Sequence, residues 1–446
     1  MYQNKPISKG IDWLIIWLYA ILVCVGLLCI FMVEYNADTD WFTSFLNGTT
    51  NYSKQLIFAG ICVIVGTFIL LSDSKLYTAF ANLLYFVGIV LMLATFVIGK
   101  DIIGSKSWIP LGGGFNLQPA ELCKIFTALA LAKYLSAQDI DFTKIQTQII
   151  ATIIALAPAA LSILQNETGL ALVYTCFFLV MFREGLPGWI LIVGFSFGAL
   201  VVATLVLNPN LLAVILTVIA ALAIYFKRRQ IKRRSRILTF IILIWVVCVG
   251  IQRFAVPYIF NNVFQCYQSQ RIYSMVGRDY DCSQNKSAIT QEAQQKNVHK
   301  PDDYNVRQSK IAIGSGGLIG RGFLKGTQTR GKYVPEQHTD FIFTSLGEAF
   351  GFTGCFIFLA IYMLLLMRIV YIAERQRSAF SRVYAYGVAS ILFFHIAVNV
   401  CMTVGLFPIV GIPLPLVSYG GSSLLTFTIL IFILVRLDAD RQMVLR

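Results

Sequence analysis

PEQHTDFIFTSLGEAFGFTGCFIFLAIYMLLLM, residues 335–367, passes within one residue from proline, charge and histidine to an apolar run. The apolar part exceeds the roughly 20 residues that a helix needs to cross a bilayer core of about 30 Å. A chain that writes such a segment places it in lipid. Asp340 stands at the threshold of that segment, with Glu336 and His338 beside it.

Composition agrees. The 446 residues are 57% hydrophobic and 13% charged, with a mean hydropathy of +0.72, too apolar for a surface that must meet water. This is the composition of an all-α, polytopic membrane protein, and the bilayer lets its spans form one bundle, a single transmembrane domain over 1–446. Lys5 and Lys9 precede an apolar run longer than a signal-peptide core, with no small-residue cleavage site after it, so the first helix reads as retained. The net charge of +14 is concentrated in short inter-span loops, where topology and anionic membrane lipids account for it without nucleic acid. Eight of the ten cysteines lie in apolar runs; Cys266 and Cys282 share a polar segment and would pair only in an oxidising compartment. Three scattered histidines, His299, His338 and His395, do not suggest a metal site.

Runs long enough to span occur near 12–33, 54–72, 76–98, 118–135, 146–164, 167–183, 188–207, 210–226, 236–257, 343–371, 383–407 and 421–437. That is twelve spans, or ten if 188–226 is a re-entrant hairpin. KRRQIKRRSR (227–236) and the arginines at 368, 375, 377 and 382 belong in the cytoplasm by the positive-inside rule. Threading the chain through these points puts both termini inside and sends 99–117, 258–342 and 408–420 outward. Residues 261–306 read as a polar loop. Residues 307–343 carry seven glycines among basic and hydroxyl side chains, a composition suited either to a flexible loop or to backbone amides approaching a phosphate-bearing ligand.

WIPLGGGFNLQPAELCKIF (108–126) opens a helix at Pro119, and Glu121 and Lys124 share one face of it. Such a pair is either functional or a self-satisfied salt bridge. Glu167 in QNETG (165–169) either reaches a polar cavity or caps the next helix, and capping is the simpler reading. PIVGIPLPLVSYGGSS (408–423) breaks helix geometry just outside the last span. Asp340 is either a carboxylate with the location of a general base or, with Thr339, a helix N-cap.

Four stretches together resemble the SEDS family (shape, elongation, division and sporulation), the RodA/FtsW/SpoVE proteins. They are WIPLGGGFNLQPAELCK, QNETGLALV, QSKIAIGSGGLIGRG with PEQHTDFIFTSLGEAFGFTG, and GIPLPLVSYGGSSLL. The resemblance covers the first six spans and 307–437, and the 308–343 motifs look most like the elongation branch. It implies a bundle of ten core helices, here twelve with an inserted hairpin at 188–226, in a bacterial cytoplasmic (inner) membrane. It implies a peptidoglycan glycosyltransferase that polymerises lipid II on the outer side for elongation and shape. Its partners would be a class B penicillin-binding protein and other elongation-complex proteins. The family's catalytic aspartate falls at Asp340. Candidate substrate-binding positions are Lys106, Trp108, Gln118, Glu121 and Lys124, then Lys310, Ser315 and Arg321, then Glu336, His338 and Ser418. No cofactor is required by the resemblance; a divalent cation (Mg or Mn) is compatible with pyrophosphate chemistry, although the sequence shows no ligand cluster. Ala120 replaces the family's serine, and Asn166 and Glu167 replace proline and aspartate.

Two other functions fit many spans with buried charges: a flippase for the lipid-linked precursor, or a non-catalytic scaffold for a transpeptidase. The enzyme reading expects Asp340 to open outward near Glu121 and Lys124.

Overall fold

The computed structural model describes residues 10–35, 50–102, 105–112, 115–137, 140–262, 269, 273 and 302–441. Cys266, Cys282, His299 and the Lys106 side chain lie outside these described residues. Helices α1 (Trp13–Glu34), α2 (Asn51–Leu71) and α3 (Ser74–Ile98) lead into strands β1 (Lys100–Ile102), β2 (Ser105–Gly112) and β3 (Phe115–Leu117). Then come α4 (Pro119–Leu135), α5 (Ile145–Leu164), α6 (Thr168–Tyr174) and α7 (Phe177–Arg183). Next are α8 (Gly188–Val206), α9 (Pro209–Arg233), α10 (Arg236–Gly250), a π-turn at Ile251–Ala255 and α11 (Val256–Asn262). The rest is α12 (Asp302–Ser315), α13 (Thr327–Arg330), α14 (Ile342–Arg375), α15 (Ala379–Val404) and α16 (Gly421–Ala439).

Among the described residues, ten helical segments are long and apolar enough to cross a membrane. The shorter α4 and the broken pair α6–α7 complete the twelve that the sequence marks out. The loop between α3 and α4 folds into a three-stranded antiparallel sheet in the order β1-β2-β3, pairing Lys100 with Trp108 and Ile109 with Leu117.

The single bundle expected from composition resolves into two compact units. One comprises Met1–Leu186 with Asn305–Arg446, the other Pro187–Tyr304. The second unit therefore extends past the expected 188–226 hairpin to include α10 and α11. Inside it, buried Gln252 of the π-turn donates to the Pro209 carbonyl (2.5 Å), and Arg253 donates to Asn210 Oδ1 (3.2 Å). The wider turn thus aims two polar side chains at the α8–α9 corner.

The first unit has two chemically different ends. At one, Asp12 before α1 accepts from Arg368 (2.7 Å) and Arg375 (3.0 Å) of α14, while Arg375 and Gln376 also hold Asp438 of α16. Arg382 at the start of α15 pairs there with Glu184 after α7 (2.9 Å). The entry to α1 and the exit of α16 share Arg375, so they lie on one side. Helix α14 runs away from this end, and at its other end lies Asp340.

Candidate active site

Helix α14 begins at Ile342 with Phe341 as its N-cap and no side-chain capping bond. The N-cap position is thus one residue past Asp340, and the Thr339 hydroxyl turns back to the Glu336 carbonyl (3.2 Å). The turn before it closes on Glu336, whose carbonyl accepts from the amides of Thr339 (3.2 Å) and Phe341 (3.3 Å). Glu336 is exposed and has a φ of +50°, a region that non-glycine residues rarely adopt and that clusters at functional sites. Phe341 is buried with Ala312, Val334, Met402 and Ile409, so half-buried Asp340 stands at the edge of a packed anchor.

The 405–420 segment meets this turn from the other side. Ser418 Oγ donates to the Thr339 carbonyl (2.5 Å) and accepts from the Leu414 amide (2.8 Å). The Tyr419 amide donates to the His338 carbonyl (2.9 Å), and the two rings lie 5.6 Å apart. Burial pushes the Tyr419 phenol above its ordinary value, and the charge of Glu34 adds to this. Gly411, at φ +69°, has no side chain where a Cβ would sit 3.6 Å from Asp340 Oδ2. The carboxylate therefore stands over bare backbone. Ser418 is buried and its hydroxyl is engaged on both its donor and acceptor sides, so it joins two segments and does not face a ligand.

Helix α15 fastens both segments. Asn399 Nδ2 donates to the carbonyls of Asp340 (2.8 Å) and Ile412 (2.7 Å). One turn earlier, His395 Nδ1 lies 3.2 Å from the Pro413 carbonyl and Nε2 lies 2.9 Å from Lys124 Nζ. A carbonyl only accepts and an ammonium only donates, so both bonds form when the neutral ring carries its proton on Nδ1. Lys124 in turn pairs with Glu121 at 2.9 Å. All four side chains are buried. Glu121 and Lys124 are linked through His395 to the Pro413 carbonyl of the 405–420 segment, and both side chains are buried, so neither presents surface to a ligand in this structure. Sequence reasoning passed over His395 and Asn399. Their signal was the four-residue spacing of two polar side chains inside an apolar span.

The three-stranded sheet joins the same frame. Ser422 Oγ donates to the Asn116 carbonyl (3.0 Å) and accepts from the Gln118 amide (3.3 Å). Gln55 of α2 bonds the Gly420 amide (3.1 Å) and the Ser418 carbonyl (3.4 Å). Glu167 is the N-cap residue of α6 by position, but its carboxylate makes no capping bond. It accepts instead from Ser107 Oγ at 2.7 Å, beside half-buried Trp108. The expected capping role is thus corrected to a tie between α6 and the sheet.

The glycine-rich segment is built for packing. Helix α14 kinks at Gly351, at φ +65°, which frees backbone groups on both sides of the kink. The amides of Arg321 and Gly322 donate to the Glu348 (3.0 Å) and Ala349 (2.9 Å) carbonyls. The amides of Phe352 and Thr353 donate to the carbonyls of Gly317 (2.9 Å) and Leu318 (3.0 Å). A Cβ on Gly316 or Gly320 would lie 2.1 or 2.3 Å from an α14 carbonyl oxygen. These amides are therefore satisfied within the protein, and the expectation that they approach a ligand gives way at these positions. Buried Glu348, which sequence reasoning also missed, accepts from the amides of Gln328 and Thr329 (both 2.8 Å) and from Thr329 Oγ1 (2.7 Å). The exposed Arg321 guanidinium is held by the Ser315 carbonyl (3.1 Å) and Thr327 Oγ1 (2.8 Å). Ser315 Oγ donates back to Ala312 (2.7 Å), and exposed Lys310 lies along Gly405. Among the described residues no three His, Cys, Asp or Glu side chains assemble as a metal set.

Comparison with known proteins places this arrangement. The family model of the FtsW, RodA and SpoVE cell cycle proteins matches residues 12–237 and 208–443. The peptidoglycan glycosyltransferase MrdB of Escherichia coli K12 is 31% identical over 370 residues, covering 83% of this chain and 80% of that protein. The peptidoglycan glycosyltransferase RodA of Treponema pallidum is 30% identical over 443 residues, covering 96% and 97%. A solved peptidoglycan synthase complex, described as coordinating polymerization and crosslinking, contains a chain of the same fold (TM-score 0.65, 23% identity, 97% and 98% covered). The rod shape determining protein RodA of Thermus thermophilus superposes with a TM-score of 0.61 at 21% identity, over 98% and 100% of the two chains. The chain, with its glycine-kinked α14 and the PEQHTDFIF turn before it, belongs to the FtsW/RodA/SpoVE family of cell cycle proteins.

Proposed function

We propose that this chain, a peptidoglycan glycosyltransferase of that family, polymerises lipid II on the outer side of the bacterial cytoplasmic membrane, with Asp340 as the general base. The observation that carries the reading is the convergence on Asp340 of segments far apart in sequence, at the end of the unit opposite the arginine-rich one. With the arginine-rich end inside, both chain ends are cytoplasmic and Asp340 faces out.

Glycan extension forms one C–O bond and breaks another. Asp340 takes the proton from the acceptor sugar hydroxyl, the resulting oxygen attacks the anomeric carbon of the donor sugar, and undecaprenyl pyrophosphate leaves with the bonding electrons. A carboxylate at half-burial, with bare backbone at Gly411 beside it, is accessible to that hydroxyl. The leaving pyrophosphate gathers negative charge, which the side chains of Arg321, Lys310 and Lys325 are of the right sign to meet. The fixed frame of Ser418, Asn399 and the Phe341 anchor supports positioning, the larger share of the task when the leaving group is already good. By the same reading, a class B penicillin-binding protein crosslinks the product. A flippase would need charge lining a wet midplane path. Glu121, Lys124 and His395 are instead closed on one another.

The test gives purified protein labelled lipid II, with and without a partner transpeptidase. Wild type should make glycan chains and Asp340→Asn should make none, with the two equally folded by thermal denaturation. Polymer from the variant, or ATP-independent lipid translocation with no polymer from wild type under any partner, refutes the assignment.

A further inference from the structure

The arginine-rich end holds a feature that polymerisation does not use. Between the start of α1 and the far ends of α14 and α16 lies an open pocket of about 230 Å³, lined by Asp12, Trp13, Leu14, Arg368, Arg375 and Arg441 among others. Three guanidiniums meet two carboxylates here, Asp12 and Asp438, leaving an excess of positive charge. The carboxylates do not exhaust the donors. Among the described residues, Nη1 of Arg368 and Nη1 of Arg375 make no hydrogen bond, and Arg441 reaches Asp438 only at 3.7 Å. These arginine side chains remain 24–39% exposed. The pocket also takes in the first residues of α1, whose amides carry the positive end of the helix dipole. Forked donors in fixed orientation, with surplus positive charge and helix-end amides, match the oxygens of a phosphate.

Depth separates a lipid phosphate from a soluble one. Trp13 lines the pocket and is 55% exposed; Trp17, one turn further on the same face, is 66% exposed. Exposed tryptophans at the end of a spanning helix sit at headgroup level. We propose that this pocket binds the phosphodiester of an anionic phospholipid, and so makes a lipid headgroup part of the joint between α1, α14 and α16. The inference rests on the ionic end of the unit and stands whether or not Asp340 is the catalytic base.

The experiment uses the full-length protein in mixed micelles with phosphatidylglycerol or phosphatidylcholine. It reads bound lipid per chain by native mass spectrometry and Tm by intrinsic fluorescence. Wild type should retain phosphatidylglycerol preferentially and gain Tm from it. R441Q, which removes no hydrogen bond, should lower that preference about fivefold, the worth of one interfacial arginine. R368K keeps the charge beside Asp12 but loses the fork, and should lower it as well. R377Q, an exposed basic residue at the same end that does not line the pocket, should leave it unchanged. Equal retention of both lipids, or an equal loss in R377Q, overturns the proposal. A Tm gain from inorganic phosphate with none from phosphatidylglycerol overturns the lipid assignment.

Discussion

Lys124 is a full charge with no exposed surface, tolerated because Glu121 and His395 each lie 2.9 Å from its ammonium. Removing one partner from such a cluster leaves the others buried and uncompensated, at about 3–5 kcal/mol. Lys124→Met is accordingly expected to lower the Tm sharply and to slow polymerisation through the loosened α15. The double variant Glu121→Gln/Lys124→Met, which removes both charges, should recover a large part of the Tm. If the single and double variants melt together, the pair is not what holds α4 to α15. The sequence showed the Glu121–Lys124 spacing and the prominence of Asp340, because both are local patterns. It hid His395 and Asn399, since their roles exist only where α15 crosses 411–413 and Asp340, far away along the chain. Glu348 was hidden for the same reason: its partners, Gln328 and Thr329, lie twenty and nineteen residues upstream.

At the scale of elements, two motifs that look separate in the sequence are halves of one joint. The kink at Gly351 exposes backbone groups where water is scarce, and unsatisfied groups there cost several kcal/mol each. Residues 317–322 supply the missing partners on both sides of the kink, which requires their backbone to lie against α14 with no side chain between. Composition alone could not tell this packing from a ligand-approach loop, since both need glycine. Gly320→Ala tests the distinction. Its φ of +90° and the 2.3 Å approach of a Cβ to the Ala349 carbonyl oxygen predict a loss of at least about 1–3 kcal/mol. Gly314→Ala, exposed within α12 and with nothing within 4 Å of its Cβ, should instead stabilise by about 0.5–1 kcal/mol. Thermal denaturation of the two side by side reads opposite signs. A neutral Gly320→Ala would mean the segment does not sit on the kink.

For the whole molecule, hydropathy marked the apolar helices long enough to span, and arginine placement predicted a common side for the start of α1 and the end of α16, which share Arg375. Both were legible because a bilayer imposes length and charge rules on each span separately. The second compact unit was not, because its boundary at Pro187 and Tyr304 is set by which helices pack together. What fastens the ends of the first unit is the Asp12–Arg375–Asp438 bridge. Burial would raise the Asp12 carboxyl, but the Arg368 hydrogen bonds and charge, with Arg375 behind them, bring it below its ordinary 3.8. A carboxyl depressed in the folded state binds its proton more readily when unfolded. Its contribution is therefore complete above the unfolded value near 3.8 and is lost as pH falls through the lower folded value. Between pH 5 and pH 8, on the order of this linkage, the Tm should show no dependence on this group. Below about pH 4 the wild-type Tm should fall, and Asp12→Asn, already lacking the charge, should start from a lower Tm and show a shallower acid decline. Parallel acid profiles for the two proteins would place the pH sensitivity elsewhere and leave the bridge between the chain ends without a measurable share in holding them.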